Sequence, residues 1–317
     1  MKPIIVTKGA NFIDSHLVER LLADGRSVVV IDDLSTGNLA NLEAVKTHPR
    51  LRVIESRVSD CGELTALVSQ AESIYHLAAA VGVELVLNSP LRSIQTNLHE
   101  TETILEAASQ HRVPVLLTSS SEVYGKSQKE SFSEDDDLLI GPPTHPRWGY
   151  ACSKLMDEFL ALACARERGL PVIIARLFNT VGPRQTGRHG MVLPRFIEAA
   201  KAGRPLRVFG NGEQRRCFCY VTDAVELLIR LATCPAAQGG VFNVGSTEEI
   251  SIYDLARLVI KVVGSSSTIE LVPYAQAYGA GDVEDMPRRR PDMTRTAALT
   301  GHASTTPMKE MIDRTIG

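Results

Sequence analysis

The chain has 317 residues, with 34 Lys and Arg against 37 Asp and Glu and a formal net charge of −3. A general nucleic-acid binder would show a basic surplus, so that class is excluded. The length is enough to bury a large core, as one big domain or two smaller ones. No apolar run reaches the ~18 residues needed to span a bilayer. Met1 to Thr7 runs straight into a strand pattern without signal-peptide features, so a cytoplasmic protein is expected. The six cysteines are scattered, and Cys217 and Cys219 form the only close pair. Reduced thiols are expected, and no metal site.

In chain order, Pro3 to Thr7 reads as a short buried strand, and the stretch from Lys8 to Leu17 turns into a helix. Ser27 to Asp32 is the next strand and ends in an acid, about where a ribose-binding carboxylate belongs. Further strands are expected at 52–56, 73–78, 114–120 and 171–177, with helices near 13–24, 61–70, 91–111 and 150–168. Strand and helix alternating in this way predict an α/β fold, a doubly wound parallel sheet covered on both faces. After about residue 178 the rhythm changes, and Gly, Pro and Arg become frequent. A smaller α+β region with helices near 192–202, 223–233 and 251–263 is expected there, with a loop over 278–296. The domain reading is 1–177 for a Rossmann-like dinucleotide-binding unit and 178–317 for a substrate-binding region, partly interleaved with the first.

The strongest chemical signal is Tyr150-Ala-Cys-Ser-Lys154. On a helix, positions i and i+4 share a face, so the lysine ammonium can stand near the phenol. A nearby cation favours phenolate and lowers the Tyr pKa toward a useful general-base value. Ser119, Ser120 and Ser121 follow the apolar run Val115 to Leu117, placing hydroxyls at a strand's carboxyl end, where ligands bind in such sheets.

With these residues in view the chain resembles the extended short-chain dehydrogenase/reductases, the NAD-dependent nucleotide-sugar epimerases, dehydratases and decarboxylases. The resemblance covers nearly the whole length. It is carried by Phe12 to Leu17, Ile31 to Leu34, His76-Leu-Ala-Ala79, Ser119 to Gly125, Tyr150 to Lys154, Arg176 to Arg184, Gly210 to Arg216, Tyr220 to Asp223, Phe242 to Gly245 and Arg288 to Asp292. It implies that Tyr150 takes the proton from a sugar hydroxyl, Lys154 lowers its pKa and holds the nicotinamide ribose, and Ser120 hydrogen-bonds the reacting oxygen. It implies that Gly9, Asn11, Phe12, Ile13, Asp32, Leu77, Ala78 and Ala79 line an NAD site together with Tyr150 and Lys154. Glu122, Asn179, Val192, Arg216 and Arg289 would face a nucleotide sugar, Asn179 and Arg216 holding its diphosphate and Arg289 assisting. A homodimer joined through the helices near 91–111 and 150–168 is also implied.

Glu122 helps to choose the reaction. In the family's 4,6-dehydratases the segment typically reads Thr-Asp-Glu, and the acid before the Glu protonates the leaving hydroxyl; here that place is Ser121. In UDP-glucuronate decarboxylases it typically reads Thr-Ser-Glu, close to Ser120-Ser121-Glu122, so this branch is the best match. Oxidation at C4 makes a β-keto acid, which loses CO₂ without further acid help. Decarboxylation and epimerisation of a UDP-sugar, UDP-glucuronate above all, are the expected reactions.

The glycine fingerprint departs from the family pattern. Lys8, Asn11 and Asp14 stand at the three glycine positions, and Arg57 replaces the Asp that would contact adenine. The glycines serve the tight turn, the approach of pyrophosphate to backbone, and helix-on-strand packing. Asn tolerates left-handed backbone. A carboxylate at position 14 about 4 Å from one phosphate charge costs roughly 4 kcal/mol at an effective dielectric near 20, although it complements the positive end of a helix dipole. Three readings follow: an NAD-dependent UDP-sugar enzyme; a homologue impaired in NAD binding that does non-redox acid–base chemistry on a nucleotide sugar; and a non-catalytic nucleotide-sugar-binding partner of an active subunit.

Overall fold

Runs of Val and Ile hydrogen-bond into a parallel sheet because both of its faces can be covered. The computed structural model describes every residue except 78–88, 146, 188–190, 275, 277–285, 287 and 317, and the backbone alone of Arg147. The first part runs β1 (Ile4–Thr7), α1 (Phe12–Ala23), β2 (Val28–Asp32), β3 (Leu51–Glu55), α2 (Leu64–Gln70), β4 (Ser73–His76), α3 (Pro90–His111), β5 (Val115–Ser120), α4 (Arg147–Arg168) and β6 (Val172–Leu177). The second part runs β7 (Thr180–Val181), α5 (Val192–Lys201), β8 (Leu206–Phe209), β9 (Arg215–Cys217), β10 (Cys219–Tyr220), α6 (Val221–Ala232), β11 (Val241–Val244), β12 (Glu249–Ser251), α7 (Ile252–Val263), β13 (Ile269–Val272), β14 (Arg288–Arg289), α8 (Thr294–Thr300) and α9 (Met308–Ile316).

The main sheet has seven parallel strands in the order β11-β6-β5-β4-β1-β2-β3. One face packs on α1, α5 and α6 through Leu17, Val18, Phe196, Val225 and Leu228. The other packs on α2, α3 and α4 through Leu64, Val68, Ile104, Leu105 and Ala161. This is the doubly wound Rossmann-like arrangement expected. Chain order reverses between β1 and β4, and ligands bind at the carboxyl ends beside such a reversal. Among the described residues no helix is long and apolar enough to cross a membrane.

Two expectations are corrected. Val241–Val244 was not foreseen as a strand; it pairs with β6, Val241 opposite Ile174, and completes the sheet. It is four residues long with a buried Asn in its middle, too short and too polar to announce itself as a strand. The expected loop over 278–296 contains β14, whose Arg288 and Arg289 pair with Arg215 and Arg216 of β9, and the start of α8. Three arginines in a row carry no strand propensity; the pairing with β9 makes the strand.

Candidate active site

The site is built around the end of β5. Ser119 is buried and donates to Glu158 Oε1 at 2.5 Å, and Arg176 grips the same carboxylate at 2.7 and 3.0 Å. The Arg176 guanidinium also lies 4.9 Å over the Tyr124 ring, and the Tyr124 hydroxyl donates to Asn243 Oδ1 at 2.7 Å. These ties fix the backbone on both sides of Ser120. Ser120 then caps the short 3₁₀ turn Ser121–Tyr124 by accepting from Glu122 N–H at 3.2 Å. Ser120, Glu122 and the phenol of Tyr150 are brought together there.

Tyr150 lies in the first turn of α4, which begins at Arg147 rather than at 150. Its hydroxyl is hydrogen-bonded by Ser120. Burial and the Glu122 carboxylate push the phenol well above its ordinary range, Asp157 adds to them, and Ser120 and Arg289 oppose them. The expected lowering by Lys154 is therefore corrected. The Lys154 ammonium is turned to Asp157, 2.8 Å away, and the two side chains are 1% and 0% exposed. Asp157 escaped sequence reasoning, although three residues after Lys154 it shares that helix face.

Arg289 reaches across from β14 and binds Glu122 Oε1 at 2.5 Å, with Ser121 Oγ at 3.5 Å. Register places Arg289 beside Arg216 of β9, and both are 8% exposed. Two nearly buried guanidinium groups in neighbouring strands make a strong anion field. Asn179 stands just before β7 and donates to Cys217 C=O at 3.0 Å. Val192 opens α5. Ala78 and Ala79 lie outside the described residues; Leu77, just before them, is buried and donates its N–H to Thr7 Oγ1 at 3.1 Å.

The turn after β1 is where an NAD pyrophosphate would lie, so its residues decide the fit. Lys8, not Asn11, carries the left-handed backbone, at φ 59°. Asn11 is extended and caps α1, its Oδ1 accepting from Thr36. Gly9 is required for packing, because a Cβ there would lie 2.6 Å from Val30. The Lys8 ammonium is not presented to the cleft; it forms an ion pair with Asp33 and donates to Ser35 at 2.9 Å. Burial pushes the Asp33 carboxyl up, but Lys8 and Ser35 outweigh it and hold it at about 2. Arg57 stands 3.5 Å from the same carboxylate.

Asp14, in the first turn of α1, is 6% exposed, and its Oδ1 has no hydrogen-bond partner among the described residues. Burial, with Asp32 adding to it, pushes its carboxyl well above the ordinary range, against its own backbone N–H and Lys8. Such a shift weakens both the repulsion expected from Asp14 and its value to the helix dipole, because each depends on the charged form. Asp32, at the end of β2, accepts from Ala10 and Leu34 N–H at 2.9 Å each and keeps its place at the ribose end. A Cβ at Gly37 would come 2.8 Å from Asp32 Oδ2, so glycine lets the loop approach that carboxylate, which is 1% exposed. Gly9 and Asp32 suit an NAD cleft, and of the added charges Lys8 and Arg57 are tied up by Asp33.

Comparison with known proteins agrees. The model of the NAD dependent epimerase/dehydratase family matches residues 4–245. The chain is 40% identical over 295 residues to the UDP-N-acetyl-alpha-D-glucosaminuronate decarboxylase of Bacillus cytotoxicus, covering 93% of this chain and 90% of that one. It is 34% identical to UDP-glucuronic acid decarboxylase 1 of Xenopus tropicalis, over 99% of this chain and 71% of that one. A solved UDP-glucuronic acid 4-epimerase of Bacillus cereus, in complex with UDP-glucuronic acid and NAD, superposes with a TM-score of 0.87 at 26% identity, over 99% and 98% of the two chains. The chain belongs to the NAD-dependent epimerase/dehydratase family of enzymes.

Proposed function

We propose that this enzyme acts at C4 of a UDP-linked sugar acid and removes its carboxylate as CO₂. The observation that carries the reading is the Glu122–Arg289 pair beside Ser120 and Tyr150, in a site with Ser121 where an eliminating enzyme needs an acid. The decarboxylases named above support it, and a non-catalytic or non-redox role is not favoured.

NAD would be held by Asp32 at the adenosine ribose, by Gly9, Asn11, Phe12 and Ile13 around the turn, by Leu77, and by Tyr150 and Lys154 at the nicotinamide end. When bound it supplies a reversible hydride acceptor for C4. Tyr150 takes the proton of the C4 hydroxyl, and Ser120 holds that oxygen and the phenol in line. With a ketone at C4, the carboxylate on C5 is β to a carbonyl. Its C–C bond electrons then flow into an enolate as CO₂ departs, and a proton must return to C5. Arg289 orients the substrate carboxylate while Glu122 holds the guanidinium, Arg216 and Asn179 receive the UDP diphosphate, and Val192 lines the substrate site.

The division of labour at residues 1–177 and 178–317 belongs to the same proposal, as does a homodimer. Leu91 on α3 and Met156 and Phe159 on α4 are 68%, 49% and 62% exposed, an apolar surface suited to a partner's matching helices. The six cysteines are unpaired, as in a cytoplasmic setting.

The test is incubation with NAD and either UDP-glucuronate or its N-acetylated counterpart, with products weighed by mass spectrometry. Loss of CO₂ is expected. An isomer of unchanged mass would assign epimerisation instead.

A further inference from the structure

The mechanism above gives no part to the carboxylate that meets Lys154. Asp157 lies on α4 with its side chain fully enclosed, and its Oδ2 accepts from the Lys154 ammonium at 2.8 Å. Its Oδ1 has no hydrogen-bond partner among the described residues. Burial pushes the Asp157 carboxyl above its ordinary range, and the Lys154 ammonium and the hydroxyl of Thr101, behind the pair on α3, oppose it. Thr101 Oγ1 is 3.3 Å from His76 Nε2, and His76 Nδ1 is 3.1 Å from Thr7 Oγ1 at the end of β1. Burial and the nearby Lys154 cation press His76 down to about 3, so the imidazole is neutral. The polar chain thus runs from the coenzyme turn to Lys154 through enclosed side chains, and Asp157 is the single counter-charge at its end.

A lone ammonium one turn from a phenol would favour phenolate. An ammonium in contact with a carboxylate is a dipole, and much of its field at the phenol cancels. The described groups that bear on Tyr150 are Ser120 from β5, Glu122 from the turn after it, Arg289 from β14 and Asp157 from its own helix, with Lys154 one turn along that helix and Thr101 and neutral His76 behind the Lys154–Asp157 pair.

We propose that Asp157 is a positioning residue, seating the Lys154 ammonium and offsetting its charge at Tyr150, so that the pair sets the pH at which the phenol begins to act. The proposal rests on Tyr150 being the base.

The test is the pH dependence of kcat for Asp157→Asn, which keeps an acceptor for Lys154 and removes the charge. The acid limb is expected about one unit lower, so that well below both limbs the variant outruns the wild type by about tenfold. A profile of unchanged shape, whatever its height, overturns the proposal, because a merely structural residue lowers the plateau without moving the limb. Should that variant fail to fold, Lys154→Met is compared with Lys154→Met/Asp157→Leu, which removes both charges and strands neither. The single variant should then show its acid limb about one unit above that of the double. Coincident limbs overturn the proposal. Tyr150→Phe at wild-type rates would instead remove the base assignment itself.

Discussion

At the carboxyl end of β5, polar side chains are tied to one another across elements far apart in sequence. Ser119 and Arg176 share Glu158, Tyr124 holds Asn243, and Arg289 holds Glu122. At the turn after β1 the ties gather on one acid, with Lys8 and Arg57 on Asp33, while Asp14 is buried in the first turn of α1. The first region presents a phenol, a hydroxyl and an ion pair in one place. The second satisfies its own charges and leaves little for a phosphate. Chemistry at the sugar is therefore built in, whereas affinity for the coenzyme is open to adjustment at the turn.

The largest effect should come from the first region. Tyr150→Phe removes the base and is expected to lower kcat by about 10²- to 10⁴-fold while UDP binding, followed by calorimetry, survives. Arg216→Ala should weaken UDP binding by about 1.5–3 kcal/mol, the usual worth of a charge-assisted hydrogen bond, with kcat little changed. If kcat fell and KM held, Arg216 would belong to the reacting end instead.

The turn should respond in the opposite sense. Replacing Lys8, Asn11 and Asp14 together by glycine is expected to raise NAD affinity at least tenfold, about 1.4 kcal/mol. An unchanged titration would show that these side chains are no obstacle. The smallest effect concerns stability. The folded state raises the Asp14 pKa, so its contribution is complete below the unfolded value near 3.8 and is lost as pH rises toward the folded one. Asp14→Asn should therefore gain in Tm on the wild type as pH increases from 4 to 8, with a constant offset arguing that Asp14 is ionised throughout.

The two regions were also unequally legible in the sequence. Strand–helix alternation gives the sheet and its switch point, because period and burial are local properties. Tyr150, Lys154 and Ser120 could be placed because helix spacing and strand ends fix them. That Lys154 pairs with Asp157 was missed, because the cation was weighed without the carboxylate three residues on. The conformation of the turn was misplaced for a similar reason. Asparagine tolerates left-handed backbone, but the register of β1 puts that conformation on Lys8, and its cost is offset by Asp33, which only tertiary contact brings near. The strand at Val241–Val244 was hidden because its partner, β6, lies far away in sequence.

The most direct test of the account supplies the protein with NAD and UDP-glucuronate carrying deuterium at C4, and follows the UDP-linked product by mass spectrometry. The account predicts turnover, slower than with the unlabelled sugar, because the C4–H bond must break before the carboxylate can leave. Turnover at an identical rate with the C5 carboxylate lost, or no turnover of any UDP-linked sugar acid by a protein that has bound NAD, would contradict it.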